Sequence, residues 1–508
     1  MREDFQLEQI DTYLKNNAVN TVKYLNRAGK IVEKRFDELH QDALKVMNYM
    51  MDIGIQHGDS MMLVGKSSYY WLVTEVACIY LGVESIAIPE NFSQIQIVEF
   101  MNRYKANGLA IDPDINNENT LISSTYENVI ILDDKMFTEH KMLCNKVDRE
   151  KAGFKIKVFT SGTTSKIKSF SINKCSTEKM MERLVEYFKI ECNDSWLICH
   201  PFSHYSHLEY ALGGLCFGYN IILVDVTTTL LRIKELKPSI LISVPETYYF
   251  FYNKLQRILA GEEDKKKREK MIKEYFGGRV KAFLIGAAPS RKEVKKFFTE
   301  NGFPLYEGYG LTETGMVSIK SPLDKFETVG KLIPGIEVMT DEEGIIHIKN
   351  DIVRTEKYDN YTEEENRKIF PEPGHIVTGD LGEVSQDGYL FIHGRKKDII
   401  VLSSGKKINA VELEEKILEI PHVKQCMVIG NERPYIIGLA VIDSLSQKKY
   451  VQDQVKLINV GLAEHERIKD MVFVDKEFTA ENNLMTRSGK IIRTEIEKYY
   501  EEEILLCY

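Results

Sequence analysis

Paired cysteines are missing from this chain. It carries eight cysteines in 508 residues, and no two stand as C-x-x-C. That spacing argues against a disulfide framework and favours a reduced, cytoplasmic protein. Cys192, Cys199, His200 and His204 come nearest to a metal set. Structural zinc shows tighter paired spacing, so the cysteines read as buried free thiols. An excess of positive charge is missing too. The net charge of −9 gives no reason to expect nucleic acid or an anionic membrane as main partner. The basic run Lys265 to Arg268 follows Glu262-Glu-Asp264 and reads as a solvated helix face. Met1 to Gln6 is polar and of mixed charge, unlike a secretory leader. The best candidate for a membrane span, Trp71 to Ile88, is interrupted by Glu75 and Glu84. No internal repeat and no low-complexity tract is visible. What remains is an ordinary globular composition, 43% apolar and 28% charged, in a chain longer than one usual domain.

The periodicities that are present alternate. Phe36, Leu39, Ala43, Met47 and Met50 keep the 3.6-residue spacing of an amphipathic helix, with Asp37 and Glu38 in its first turn and Gly54 beyond its end. Met61–Val64 follows as a strand, Trp71–Leu81 as a helix ended by Gly82, and Ser85–Pro89 as a strand. Gln94–Tyr104 is helical and Gly108–Ile111 is again a strand. Residues 112–150 are polar and irregular. Strands resume at Trp196–Cys199, Ile221–Val224, Ile240–Val244 and Lys281–Ile285. Strands alternating with helices predict an α/β architecture with a mostly parallel sheet covered on both faces. From about Gly315, short β-type runs between turns predict a small antiparallel β subdomain. After Gly394 a separate α+β pattern begins. The expected division is therefore 1–394 and 395–508, with the boundary in the charged segment Arg395–Asp398.

The most informative stretch is Val158-Phe-Thr-Ser-Gly-Thr-Thr-Ser-Lys-Ile-Lys-Ser-Phe170. A short apolar run feeds a cluster of hydroxyls around one glycine, then two lysines. Such a loop can offer backbone N–H groups, hydroxyls and a cation to a polyphosphate. The GxxxxGK[ST] spacing is absent, so this is not a Walker A loop. Four further stretches lie downstream: Tyr306-Glu-Gly-Tyr-Gly-Leu-Thr-Glu-Thr314, Thr378-Gly-Asp-Leu381, Gly394-Arg-Lys-Lys-Asp398 and Met485-Thr-Arg-Ser-Gly-Lys-Ile491. In this order and at these separations the set resembles the adenylate-forming superfamily, which includes acyl- and aryl-CoA synthetases, luciferases and amino-acid adenylation domains. The resemblance covers most of the chain.

The resemblance implies a large N-terminal region of layered α/β sheets and a small mobile C-terminal domain. It implies ATP and Mg²⁺ as cofactors. Thr160, Ser161, Gly162, Thr163, Thr164 and Lys168 match the pyrophosphate loop. That loop usually continues Gly-x-Pro-Lys-Gly, whereas Ser165, Lys166, Ile167, Lys168 and Ser169 stand here. Two glycines and a proline are thus replaced, which points to a stiffer or shifted path. The Ser-Gly-Thr-Thr core and the lysine are kept, so the loop is expected still to work. The departure is the best sequence argument for low activity or an unusual role. Gly286, Ala287 and Ala288 match the small-residue turn against adenine, and Tyr309, followed by Gly310, the aromatic stacked on it. Thr312 matches the donor to the α-phosphate and Glu313 the ligand of Mg²⁺. Asp380 and Arg395 match the ribose contacts. Lys490 matches the lysine bridging carboxylate and α-phosphate. Lys397 matches the hinge, and Gly405 the glycine that lines the thiol tunnel after the C-terminal domain turns.

His204 matches a position near the acyl carboxylate, so His204, Tyr205 and Gly213 are expected to border the substrate pocket. Amino-acid adenylation domains place an aspartate there to pair with the substrate ammonium, and its absence argues against an α-amino acid. Glu209 lies close by in sequence and keeps that alternative open. The implied reaction activates a small carboxylic acid as its adenylate and passes it to a thiol, either CoA or the phosphopantetheine of a carrier protein. The alternatives are a stand-alone amino-acid-adenylating enzyme and a degenerate, non-catalytic nucleotide-binding homologue.

Overall fold

A computed structural model describes residues 6–508, apart from 90–91, 117–125, 139–145, 149–151, 161–167, 287–289, 323, 326, 480 and 486–490. Two large sheets form its body. The six-stranded sheet runs in the order Val129–Ile131, Gly108–Ile111, Ser60–Val64, Glu84–Ile88, Ile156–Thr160, Lys168–Ile172. Only the last strand is antiparallel to its neighbour. The nine-stranded sheet runs Lys331–Leu332, Gly315–Lys320, Leu305–Leu311, Ala282–Ile285, Ile240–Ser243, Ser195–Ile198, Asn220–Leu223, Thr21–Leu25, Ile31–Arg35. Its six central strands are parallel and its edges antiparallel.

The layering follows from the two-residue period of a strand, which sends neighbouring side chains to opposite faces. Trp196 and Ile198 join the large core between the sheets, while Leu197 joins a second cluster on the outer face. Leu63 faces the same central core, and Met62 and Val64 face away from it. The helices Phe36–Asp52, Tyr69–Leu81, Lys174–Tyr187 and Tyr205–Phe217 fill the space between the sheets. Phe36, Leu39, Ala43, Met47 and Met50 are buried in the first of these, as their spacing predicts. Tyr69–Leu81 is buried along its whole length, capped by Ser68 at the start and ended by Gly82 at φ 69°. Outside the nine-stranded sheet an aromatic cluster that includes Phe251, Phe276, Phe283 and Phe298 seals the helical cover. Each such fully buried side chain contributes about 1.5–3 kcal/mol by leaving water.

The predicted antiparallel subdomain starts later than about Gly315. Gly315–Lys320 turns back at Gly315 (φ 70°) and pairs with Leu305–Leu311 at the edge of the nine-stranded sheet. The four-stranded antiparallel unit comprises Ile336–Thr340, Ile345–Asn350, His375–Val384 and Leu390–Arg395. Its third strand is much longer than the short runs the sequence predicts. Gly379 at φ 74° and a bulge after Leu381 break the alternation that would reveal it. The hairpin Thr21–Leu25/Ile31–Arg35 has no counterpart in the sequence reading, because its second strand is mostly polar.

Beyond Arg395 the chain builds separate sheets. The hairpin Ile399–Val401/Lys407–Asn409 is followed by three strands, Val423–Ile429, Ile436–Ile442 and Ile468–Val474. Helices Ala410–Leu418 and Lys448–Val460 close one face of that sheet, and Arg493–Tyr499 the other.

Candidate active site

Three segments of the N-terminal body and the end of the four-stranded unit meet at one place. The hairpin Ile156–Thr160/Lys168–Ile172 sets Thr160 opposite Lys168. Ser161, Gly162, Thr163 and Thr164 lie outside the described residues. Thr160 Oγ1 is buried without a hydrogen-bond partner among the described residues, a donor left over for something else. Lys168 is held below the usual lysine range by burial, which the nearby Glu313 carboxylate opposes and Arg395 reinforces. Its ammonium donates to Tyr358 Oη (3.3 Å), and that hydroxyl donates to Glu313 Oε1 (2.5 Å). Glu313 is buried, and its other oxygen takes no hydrogen bond among the described residues.

The strand Leu305–Leu311 carries Tyr309 to the same side. Tyr309 Oη donates to Asp380 Oδ2 at 2.6 Å. Burial first, then Asp380, raises the phenol well above its usual range. Asp380 is 2% exposed and faces Arg395 across the His375–Val384/Leu390–Arg395 ladder. Arg395 Nε lies 2.8 Å from Asp380 Oδ1. Its N–H is not aimed along that contact, so Oδ1 stays without a hydrogen bond among the described residues. A buried carboxylate oxygen with an open lone pair is costly unless a donor arrives from elsewhere.

Gly310 is required by its surroundings: a Cβ there would come 2.1 Å from Gly315 O, at the bulge where the two strands close up. Gly286 N donates to Ser243 O (3.3 Å), and a Cβ on Gly286 would meet open space. Ala287 and Ala288 lie outside the described residues, as does Lys490.

His204 is exposed at the start of the helix Tyr205–Phe217. Its neighbour His200 bonds Ser243 Oγ through Nε2 (2.7 Å), and Ser243 donates on to Thr247 Oγ1 (2.7 Å). Burial and then His204 pull His200 down to about 4, so it is a neutral donor at neutral pH. Cys192 is exposed while Cys199 is buried against Ile242 O, and among the described residues no cluster of three potential ligands could hold a metal.

At two positions of the expected pocket segment the surroundings are closely packed. Tyr205 is fully buried, bonded to Thr177 through its hydroxyl. Gly213 is occupied from outside: a Cβ there would meet Met181 Cε at 2.4 Å and Tyr219 Oη at 2.7 Å. Both residues pack against neighbouring elements, Gly213 against Met181 of Lys174–Tyr187 and against Tyr219, and Tyr205 against Thr177. Glu209, whose role the sequence leaves open, is bound by a residue the motifs do not include. Arg354 Nη1 and Nη2 donate to Glu209 Oε1 and Oε2 (2.7 and 3.0 Å), and both side chains are 3% exposed. Burial pushes the Glu209 carboxyl up, which the guanidinium opposes. Arg354 Nε donates to Thr312 O (2.8 Å), which anchors the Thr312-Glu313 turn from behind. The only sequence signal for Arg354 is a lone arginine after the apolar pair Ile352-Val353.

The sequence pattern of the AMP-binding enzyme family matches residues 17–347, and that of its C-terminal domain matches residues 397–508. The chain belongs to the AMP-binding enzyme family. Among its relatives, a long-chain-fatty-acid–CoA ligase of Mycobacterium bovis is 23% identical, with 90% of this chain and 89% of the relative covered. A 2-succinylbenzoate–CoA ligase of Bacillus cereus is 23% identical over 78% of this chain and 80% of its own length. The fold is shared with the o-succinylbenzoate CoA synthetase of Bacillus subtilis in complex with its acyl-adenylate intermediate (TM-score 0.79, 20% identity, 98% and 99% covered). The same synthetase in complex with ATP and a magnesium ion gives a TM-score of 0.78 at 19% identity, with 96% and 99% covered.

In the AMP-binding frame, the described motif residues fall into two facing groups. Lys168 and Glu313, joined through the non-motif Tyr358, form one, and Tyr309, Asp380 and Arg395 the other. Arg395 is near enough to act on both Lys168 and Tyr358.

Proposed function

We propose that this protein is an ATP-dependent, AMP-forming carboxylic acid–thiol ligase of the acyl- or aryl-activating kind. A carboxylate oxygen attacks the α-phosphorus of ATP, the α–β phosphoanhydride bond breaks, and pyrophosphate leaves. A thiol sulfur then attacks the acyl carbon, its proton goes to solvent, and AMP leaves. The thiol is CoA or the phosphopantetheine of a carrier protein, and the compartment is the cytoplasm. The observation that carries the nucleotide reading is Asp380 Oδ1, a buried carboxylate oxygen left open between Tyr309 and Arg395. Two ribose hydroxyls supply the donors it lacks. Tyr309 then flanks the base, and Gly286 leaves room for it.

The first step brings two anions together, so cations and donors around the phosphates decide the rate. Lys168 serves the β- and γ-phosphates with Thr160 to Thr164, and Thr312 serves the α-phosphate. Glu313 is a hard oxygen donor with one free oxygen, which suits Mg²⁺ better than a nitrogen or sulfur site would. When bound, Mg²⁺ neutralises phosphate charge and orients the leaving pyrophosphate. Lys490 supplies the cation between carboxylate and α-phosphate.

The substrate is a carboxylic acid without an α-ammonium. Glu209 is the acid nearest His204 on its helix, and Arg354 already satisfies both of its oxygens. It therefore has nothing to offer a substrate cation. His204 and the neutral His200 border the acyl end.

The hinge reading at Lys397 rests on what grips its neighbours. Lys396 Nζ holds Glu343 Oε2 of the four-stranded unit (2.8 Å), while Asp398 Oδ1 lies 3.5 Å from Arg493 Nε of the C-terminal unit. Residues 395–508 turn about this point between half-reactions and bring Gly405 in. Gly405 sits at a hairpin tip with φ 78° and open space around it. A panel of acyl, aryl and amino acids tested for pyrophosphate release, with and without CoA, checks the reading. Release with acyl or aryl acids supports it, and release with one free amino acid alone overturns the substrate class.

A further inference from the structure

Tyr358 belongs to none of the motifs, yet it touches two residues on which the proposed reaction depends. It lies between the strand Ile345–Asn350 and the helix Glu363–Ile369 and is 3% exposed. Its ring packs against Phe170, Tyr361 and Phe370 at centroid distances of 5.8, 5.0 and 5.1 Å. Its backbone is clamped by one side chain, since Tyr358 N donates to Asn366 Oδ1 (2.8 Å) and Asn366 Nδ2 donates to Tyr358 O (3.0 Å). The hydroxyl is thus fixed from both ends of the residue.

That hydroxyl sits between opposite charges. It donates to Glu313 Oε1 at 2.5 Å and accepts from Lys168 Nζ at 3.3 Å, with the ammonium 4.6 Å from the ring centroid. The directions are fixed by chemistry, because a carboxylate only accepts and an ammonium only donates. Among the described residues no direct ion pair joins Lys168 to Glu313. They attract each other across the phenol. In a site screened from water, opposite charges this near would otherwise close into contact. A contact pair would be self-satisfied: the ammonium would be lost to the phosphates and the carboxylate to a divalent cation.

Resting on the ligase reading, we propose that Tyr358 is a positioning residue that keeps Lys168 and Glu313 apart. The ammonium is then left for the polyphosphate of the nucleotide, and Glu313 Oε2 for its divalent cation. The phenol oxygen alone does this, while the ring only packs. Removing that oxygen lets Lys168 and Glu313 pair directly, and the cation must then break that pair before it binds.

The test is titration calorimetry of ATP on the full chain, once with Mg²⁺ and once with EDTA. The variants are Tyr358→Phe, Lys168→Met and the double variant. In Tyr358→Phe, the gain in ATP affinity that Mg²⁺ confers is expected to fall about tenfold or more. Affinity for metal-free ATP should also fall, through the Lys168 ammonium alone and so by less than affinity with Mg²⁺, and the thermal midpoint should change little because the ring remains. In the Lys168→Met background the competing cation is gone, so Tyr358→Phe should cause no further loss of the Mg²⁺-dependent gain. An unchanged gain in Tyr358→Phe overturns the proposal. So does an equal loss with and without metal, or a further loss in the double variant. A wild-type chain with no affinity for ATP overturns the nucleotide reading and the proposal with it.

Discussion

Tyr309 and Asp380 stand 71 positions apart in the chain, and the Tyr309 hydroxyl donates to Asp380 Oδ2 at 2.6 Å. This bond ties the nine-stranded sheet to the four-stranded unit. It also fixes one carboxylate oxygen, while the other, 2.8 Å from Arg395 Nε, takes no hydrogen bond among the described residues. The nucleotide reading depends on that second oxygen.

Asp380→Ala removes it together with its charge. A hydrogen bond to a charged group contributes about 1.5–3 kcal/mol, so ATP should bind roughly 10- to 150-fold more weakly. Calorimetric titration of the variant measures this directly. An unchanged affinity would place the ribose elsewhere.

Arg354 and Glu209 form a pair with both side chains 3% exposed. Glu209→Ala leaves a buried guanidinium without its partner, which costs about 3–5 kcal/mol. Thermal unfolding should show a midpoint several degrees lower. The double variant Glu209→Leu/Arg354→Met should recover most of that stability. It should still activate acid more slowly than wild type, because Thr312 O has lost its donor. A double variant with wild-type kinetics would show that the Thr312 anchor is dispensable.

Glu75 is buried in the helix Tyr69–Leu81 and accepts from Ser85 Oγ at 2.6 Å. Burial pushes its pKa up to about 7, with the Ser85 hydrogen bond opposing. A carboxyl with a raised folded pKa adds its full stability below the unfolded value near 4.5 and loses it as pH rises through 7. Above pH 7 the wild-type chain should therefore be weaker by about 3 kcal/mol than it would be with a neutral group here. Glu75→Gln keeps the acceptor and removes the titration. Its thermal midpoint should exceed that of wild type at pH 8, with the difference closing towards pH 4.5. A pH-independent difference would contradict the burial account.

Much of the layered body is legible in the sequence, because its helices and strands carry their own periodicities. Phe36–Asp52 and Gln94–Tyr104 are visible as amphipathic repeats, and Gly82 marks a real helix end. Sheet membership is not legible for Gly315–Lys320, since nothing local says which neighbour a strand will find. The motif residues are legible as a family set. Tyr358 and Arg354 are not, because their partners lie 45 and 145 positions away. A single tyrosine or arginine carries no sign of such a partner. Tyr205 and Gly213 are legible only by their place beside His204, and their packing against Thr177, Met181 and Tyr219 leaves no sign in the sequence.

Lys490→Ala separates the half-reactions. Two anions about 4 Å apart in a partly dehydrated site repel by several kcal/mol, and an ammonium between them offsets much of that. Adenylate formation should slow by about 100-fold or more, equivalent to about 2.7 kcal/mol. Thioester formation from preformed acyl-adenylate should stay near normal, because no second anion then approaches. Equal losses in both steps would make Lys490 structural.

The central claim is that a carboxylate oxygen of the substrate attacks the α-phosphorus of ATP. The most direct measurement uses an accepted acid labelled with ¹⁸O in its carboxylate, with ATP, Mg²⁺ and CoA, and mass analysis of the products. The account predicts AMP carrying one ¹⁸O from the acid, and unlabelled pyrophosphate. Unlabelled AMP, or label recovered in inorganic phosphate, would contradict it.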